Sequence, residues 1–382
     1  MIYLDNASTT RMDPRVFDAI IPYLGDLCGN PNSPHQMGKE ARDAIKKARK
    51  QVADLIGAVP EQIVFTHSAT DANRMIFERY DYGRPVVSAV EHSSVLRAAR
   101  NSMDTDDYEL PTVPVTPSGI VSEEILRKYL KDRFPDGSGV DNVASFMLVN
   151  NETGAVNDLN KLKDIASEYW LWLHTDATAA AGAMKIDVND LRCNFMTFAA
   201  HKMHGPKGVA ALYLRDPYIS SPHDGTPDVP AIVGFGEACR IQKGLIDKNN
   251  HGFDADYDDL ANLFITCLSF CLKNIYDVNA KGREHFNRIL SLRFPGVDAE
   301  TLVMLCSERG LMISAGAACE SNEKMPSHVL TAMGLSPEEA RSSVRVSFSR
   351  MTTKEDCTKG AEILAGCVND LRGLNNREDP EE

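Results

Sequence analysis

Along the first three-fifths of the chain, short apolar runs alternate with amphipathic stretches, and the two patterns predict different elements. Ile63–Ala69, Pro85–Val90, Ala144–Asn150, Trp170–Asp176, Phe195–Ala200 and Val209–Leu214 are strand-length runs, several of them almost continuously apolar. That pattern is expected of strands buried on both faces of a parallel sheet. From Gly38 to Ile56, apolar residues recur at three- and four-residue spacing with basic residues between them, which predicts a surface helix. Leu159–Tyr169 lies between two strand candidates and supplies a crossover. The alternation predicts an α/β architecture with a mostly parallel, doubly wound sheet. Polar or Gly/Pro-rich breaks fall at Asp104–Asp107, Pro135–Asn142 and Asp216–Pro230. Beyond Gly244 the pattern changes. Helical stretches at Asp254–Tyr276 and Thr353–Leu371 flank strand candidates at Ile289–Phe294, Leu311–Ile313 and Ser343–Phe348, as in a smaller α+β domain. The expected division is a large domain over 15–243, a small one formed by 1–14 and 244–372, and an acidic, disordered tail over 373–382.

Composition narrows the classes. The 382 residues carry 41 basic and 54 acidic side chains, a net charge of −13. No basic stripe is present to neutralise phosphates, so direct nucleic-acid binding is not expected. No apolar run reaches membrane-spanning length, and the first residues do not read as a secretory leader. The nine cysteines are an odd number without a C-x-x-C pair, which suits reduced thiols in the cytoplasm and gives no metal site. Cys267 and Cys271 lie in an apolar helical run and read as core.

Ligands of open parallel sheets gather at the carboxyl ends of the strands. The polar residues there are Thr70 and Asp71, Glu91 and His92, Asn151, His174 and Asp176, then His201 and Lys202 before Gly205-Pro206-Lys207-Gly208. Singly, such a lysine reads as a solvated surface group and such an aspartate as a helix cap. Together, a lysine, an aspartate and a histidine are what a pyridoxal 5'-phosphate (PLP) site requires. Small residues at a helix N-terminus can hold its phosphate.

The order of the motifs carries a resemblance. LDNASTT at Leu4–Thr10, GNPNSPH at Gly29–His35, EHSSV at Glu91–Val95 and NNETG at Asn150–Gly154 are followed by HTDAT at His174–Thr178 and HKMHGPKG at His201–Gly208. SAGAACES at Ser314–Ser321 and SSVRVSFSR at Ser342–Arg350 complete the set. In this order they resemble the NifS/IscS-like cysteine desulfurases of the class V aminotransferase family. The resemblance implies a PLP-dependent transferase (aspartate aminotransferase-like) fold. It makes Lys202 the Schiff-base lysine and proton shuttle, His92 the ring-stacking histidine, and Asp176 the partner of the pyridine nitrogen. Asn151 would contact cofactor and substrate; Thr70, the Ala69 backbone, His201 and Thr226 would hold the phosphate, Thr226 from a neighbouring subunit of a homodimer. Arg345, helped by Asn30, would grip the substrate carboxylate. Cys319 sits in a run of small and polar residues suited to movement, and its thiolate would be the nucleophile. The implied reaction converts L-cysteine to L-alanine and leaves a persulfide on Cys319. The long cysteine loop is similar to that of the branch serving iron–sulfur scaffolds and tRNA thiolation proteins.

Three positions depart from the family's pattern. Ala179 stands where a glutamine contacts the cofactor, Ala199 where a serine binds phosphate, and the segment before Thr226 is shortened to HDGT at His223–Thr226. These departures keep open a non-catalytic scaffold that retains the fold. Because Arg345 would read only the carboxylate common to such substrates, a related PLP lyase acting on selenocysteine or another β-substituted amino acid stays open as well.

Overall fold

The computed structural model describes residues 1–81, 83–103, 109–216, 225–248, 254–273, 275–280, 282, 285–316 and 326–375. Among these, seven strands form one sheet in the spatial order Ile63–Thr66, Ala210–Leu214, Phe195–Ala199, Trp172–Asp176, Val143–Ser145, Val86–Ser88, Thr112–Val113. From Phe195–Ala199 to Thr112–Val113 the strands run parallel. Ala210–Leu214 is antiparallel to both its neighbours. Val87, Val143, Phe195 and Leu212 enter one apolar cluster, whereas their chain neighbours Val86, Ala144, Met196 and Ala211 enter another. Successive side chains of a strand point to opposite faces, so both faces of this sheet are covered by packed helices. That double burial is why these segments read as unbroken apolar runs.

The second half builds two small sheets. Ser343–Ser347, Ile289–Arg293 and Asp277–Val278 pair antiparallel, and Ile2–Tyr3 pairs parallel with Leu311–Met312. The N-terminal segment then crosses between the halves. Asn6 Nδ2 donates to Ser347 O at 2.9 Å and Ala7 N to Ser347 Oγ at 2.8 Å. A few residues on, Thr10 N donates to His201 O at 2.9 Å.

Several expectations need correction. Strands are shorter than the apolar runs, and the edge strand Thr112–Val113 was not anticipated. Gly244, the expected start of the small domain, falls inside the helix Val229–Lys248. This helix carries glycines for close packing: a Cβ on Gly236 would lie 2.5 Å from Ala48 Cα, and one on Gly234 2.5 Å from Ile20 Cδ1. The last helix runs from Lys354 to Asn375, into the stretch expected to be a disordered tail. Ala361, Leu364, Ala365 and Val368 bury one face of it at helical spacing. Among the described residues, no helix is long and apolar enough to cross a membrane and no His/Cys/Asp/Glu cluster could hold a metal.

Candidate active site

At the carboxyl ends of the parallel strands lies a cavity of about 250 Å³. The large sheet supplies Ala69, Thr70, His92, Asn151, Asp176, His201 and Lys202 to its wall, and the small sheet supplies Arg345. Sequence positions spread over most of the chain are thus brought together. Lys202 ends a single 3-10 turn that follows the strand Phe195–Ala199. Its Nζ donates to the carbonyls of Ala7 at 2.5 Å and Ser8 at 2.8 Å.

Asp176 is buried at the end of its strand. One carboxylate oxygen accepts Thr178 N at 2.9 Å and the other accepts Asn73 Nδ2 at 3.0 Å. Asn73 also donates to Ser94 Oγ at 3.0 Å. Ser94 Oγ lies 2.7 Å from His92 Nδ1, to which Ser94 N donates at 3.2 Å. Nδ1 therefore acts as acceptor in the neutral ring, leaving the proton on Nε2. One buried asparagine links the aspartate to the histidine. The sequence did not single it out, although a fully buried Asn among Ala72, Met75 and Ile76 on one helix face is a signal of such a role.

Arg345 Nη1 donates to Asn151 O at 2.9 Å, and Nη2 donates to Asp5 Oδ1 at 3.0 Å and Ser8 Oγ at 2.6 Å. Its Nε is buried without a hydrogen-bond partner among the described residues. The helix Ala69–Tyr80 starts at the cavity, and its N-cap Ser68 side chain accepts Asp71 N. The amides of Ala69 and Thr70 precede the first helical hydrogen bond and are placed to receive an anion. His201 Nδ1 lies 3.2 Å from Thr9 Oγ1. Burial first, then the Lys202 charge, pulls its pKa down to about 4, so the ring is neutral near pH 7.

Some expected site residues are elsewhere. His174, a strand-end candidate, points into the core. Its ring nitrogens meet Ser145 Oγ at 2.8 Å and Thr197 Oγ1 at 3.2 Å, and burial lowers its pKa to about 4. Glu91 is fully buried, accepting Ser88 Oγ at 2.7 Å and Met147 N at 2.8 Å. Burial pushes its pKa up to about 8, against the pull of the Ser88 and Met147 hydrogen bonds, with the Asp176 charge adding to the rise. Asn30 and Thr226 do not line the cavity; they approach each other at 3.5 Å. Ala179 lines it and Ala199 does not. Cys319 lies outside the described residues, as do His223 and Asp224. After the cysteine segment, Ser327 Oγ donates to Glu152 Oε2 at 2.6 Å. Glu152 and His328 both line the cavity. Neither was anticipated, nor were Ser8 and Thr178.

The sequence profile described as Aminotransferase class-V matches residues 2–222 and 219–359. The chain belongs to the class-V aminotransferase family. It is 33% identical to the cysteine desulfurase of Mus musculus over 396 aligned residues, covering 98% of this chain and 83% of that one. It is 31% identical to the cysteine desulfurase IscS of Methanosarcina thermophila over 392, covering 98% and 93%. Among solved structures, a NifS-like protein from Rickettsia africae superposes with a TM-score of 0.81 at 27% identity, covering 98% of this chain and 99% of that one.

The cavity of this family member fits PLP on its own chemistry. Thr178 Oγ1 is a buried hydroxyl on its wall with no hydrogen-bond partner among the described residues. Buried hydroxyls without partners are uncommon, and a polar ligand would satisfy this one. Lys202 offers an amine, Asp176 an anion for a protonated ring nitrogen, His92 a flat ring, and the Ala69–Thr70 amides a phosphate seat.

Proposed function

We propose that the chain is a PLP-dependent cysteine desulfurase, converting L-cysteine to L-alanine and collecting the sulfur as a persulfide on Cys319. The observation that carries this reading is the convergence of Lys202, Asp176, His92 and Arg345 on one cavity, in a chain 33% identical to a cysteine desulfurase over 98% of its length. Lys202, Asp176, the Ala69–Thr70 amides and His201 would hold the cofactor. When bound, PLP supplies an electron sink that acidifies the substrate Cα–H.

Arg345 binds the substrate carboxylate, which must find room beside Asp5 and Ser8 on the guanidinium. Lys202, released from the Ala7 and Ser8 carbonyls, takes the Cα proton. His92, held by Ser94, presents Nε2–H to the reacting region. Cys319, as thiolate, attacks the substrate sulfur; the Cβ–S bond breaks and its electron pair remains with the carbon fragment, which is protonated and leaves as alanine. L-cysteine and a protein thiol thus become L-alanine and a protein persulfide, with no outside oxidant.

The same reading makes the chain a cytoplasmic homodimer that passes its sulfur to an iron–sulfur scaffold or a tRNA thiolation protein. The odd number of cysteines, nine, supports reduced thiols in a reducing compartment. The place of Thr226 beside Asn30, off the cavity of its own chain, supports a role towards a neighbouring subunit. The decisive experiment measures alanine release from L-cysteine with a thiol reductant while recording the visible spectrum. A yellow protein with cysteine-dependent alanine is expected. A chain that neither takes up PLP nor releases alanine would leave the scaffold alternative standing.

A further inference from the structure

Arg288 immediately precedes the strand Ile289–Arg293 and is only 3% exposed. Among the described residues no carboxylate pairs with it. Its donors go instead to main-chain carbonyls: Nε to Phe348 O at 3.2 Å, Nη1 to Ala179 O at 3.1 Å and Nη2 to Lys202 O at 2.9 Å. Phe348 N donates back to Arg288 O at 2.9 Å, extending the ladder in which Ile289 faces Ser347. Burying a guanidinium away from a counter-charge is expensive, and burial pulls this one's pKa down. An apolar side chain could fill the same space without that cost, but would leave three carbonyls without these donors.

The three carbonyls share a property that packing does not require. One belongs to the lysine at the cavity, one to the cavity wall at Ala179, and one to the end of the strand bearing Arg345. We infer that Arg288 is a positioning residue whose planar fork fixes Lys202 and the Ala179 wall against the Arg345 strand, setting the span between amine and guanidinium. This inference rests on the functional reading above. A lysine at 288 keeps the charge, but its compact ammonium cannot reproduce the fork. The connection is invisible in the sequence, because Arg288 is distant along the chain from both Ala179 and Lys202.

The test compares wild type with Arg288→Lys and Arg288→Gly. Misplacement of a reacting group by about 1 Å can cost about a hundredfold in rate. For Arg288→Lys we therefore expect kcat for alanine release to fall at least about tenfold, with KM for L-cysteine within about threefold. The rate at which the apoprotein takes up PLP, followed by the absorbance of the lysine-bound form, should fall with kcat. Arg288→Gly should lose more and recover part of both rates with millimolar guanidinium, which leaves wild type unchanged. If the glycine variant does not fold, Arg288→Lys decides alone. Wild-type kcat and uptake in Arg288→Lys, with only a lower melting temperature, would mean that the residue merely fills space and would overturn the inference. A rise in KM at constant kcat would overturn it too. Wild-type protein that forms no lysine-bound PLP would overturn the functional reading and this inference together.

Discussion

At the scale of single residues, the reaction needs an amine that can move and a thiol that can reach. For Lys202→Ala, the absorbance of lysine-bound PLP should be absent and alanine release lost; another lysine forming the bond would show as persistent absorbance. For Cys319→Ala, PLP uptake should survive while persulfide and alanine disappear, and substantial turnover would remove Cys319 from its role. Asn73 holds both Asp176 and the serine that orients His92. Asn73→Leu leaves a carboxylate short of a charge-assisted bond worth about 1.5–3 kcal/mol. PLP affinity should then weaken by about tenfold or more, measurable by titrating apoprotein. Glu91 carries a pH prediction. Its folded-state pKa of about 8 lies above its unfolded value. The folded state therefore holds a proton that the unfolded state has lost, and stability falls as pH rises through this window. Glu91→Gln keeps the acceptor for Ser88 and Met147 without a charge to develop. Urea midpoints should fall less between pH 6 and pH 9 in Glu91→Gln than in wild type.

At the scale of elements, legibility followed burial. Phe195–Ala199 was readable because both its faces enter apolar cores, leaving no polar alternation, whereas Val143–Ser145 shares only Ala144 and Ser145 with the run Ala144–Asn150 read for it. Thr112–Val113 was not readable, because two residues at a sheet edge leave too short a pattern. The antiparallel course of Ala210–Leu214 was hidden as well, since strand direction depends on connections and not on side-chain period. Lys202, Asp176 and His92 stood out at strand ends, where ligands gather. Thr178, Glu152 and His328 gain meaning only when distant segments meet. Gly154 marks such a meeting: it has φ +79°, and a Cβ there would lie 2.8 Å from the carbonyls of both Ile289 and Phe286. Gly154→Ala should cost about 2–3 kcal/mol through strain and clash together. An unchanged urea midpoint would show that the junction between the halves can yield.

At the scale of the whole molecule, the cavity is a seam between two sheets and not a pit within one. Lys202 comes from one side and Arg345 from the other, so domain packing and site geometry cannot be changed independently. If Thr226 serves a neighbouring subunit, sedimentation of the purified protein should give twice the chain mass, and monomers made by interface mutation should lose PLP retention. Fully active monomers would remove Thr226 from the site.

The crossing of Asn6 to Ser8 between the halves has a consequence in time. These residues leave the ribosome hundreds of residues before their partners: Asn6 precedes Ser347 by 341 positions and Ser8 precedes Arg345 by 337. Domains tend to form in the order of synthesis, yet this seam cannot close until almost the whole chain has emerged. A nascent chain can therefore build its central sheet early and still carry no working site. The site is completed only when the last tenth of the chain is available to close it.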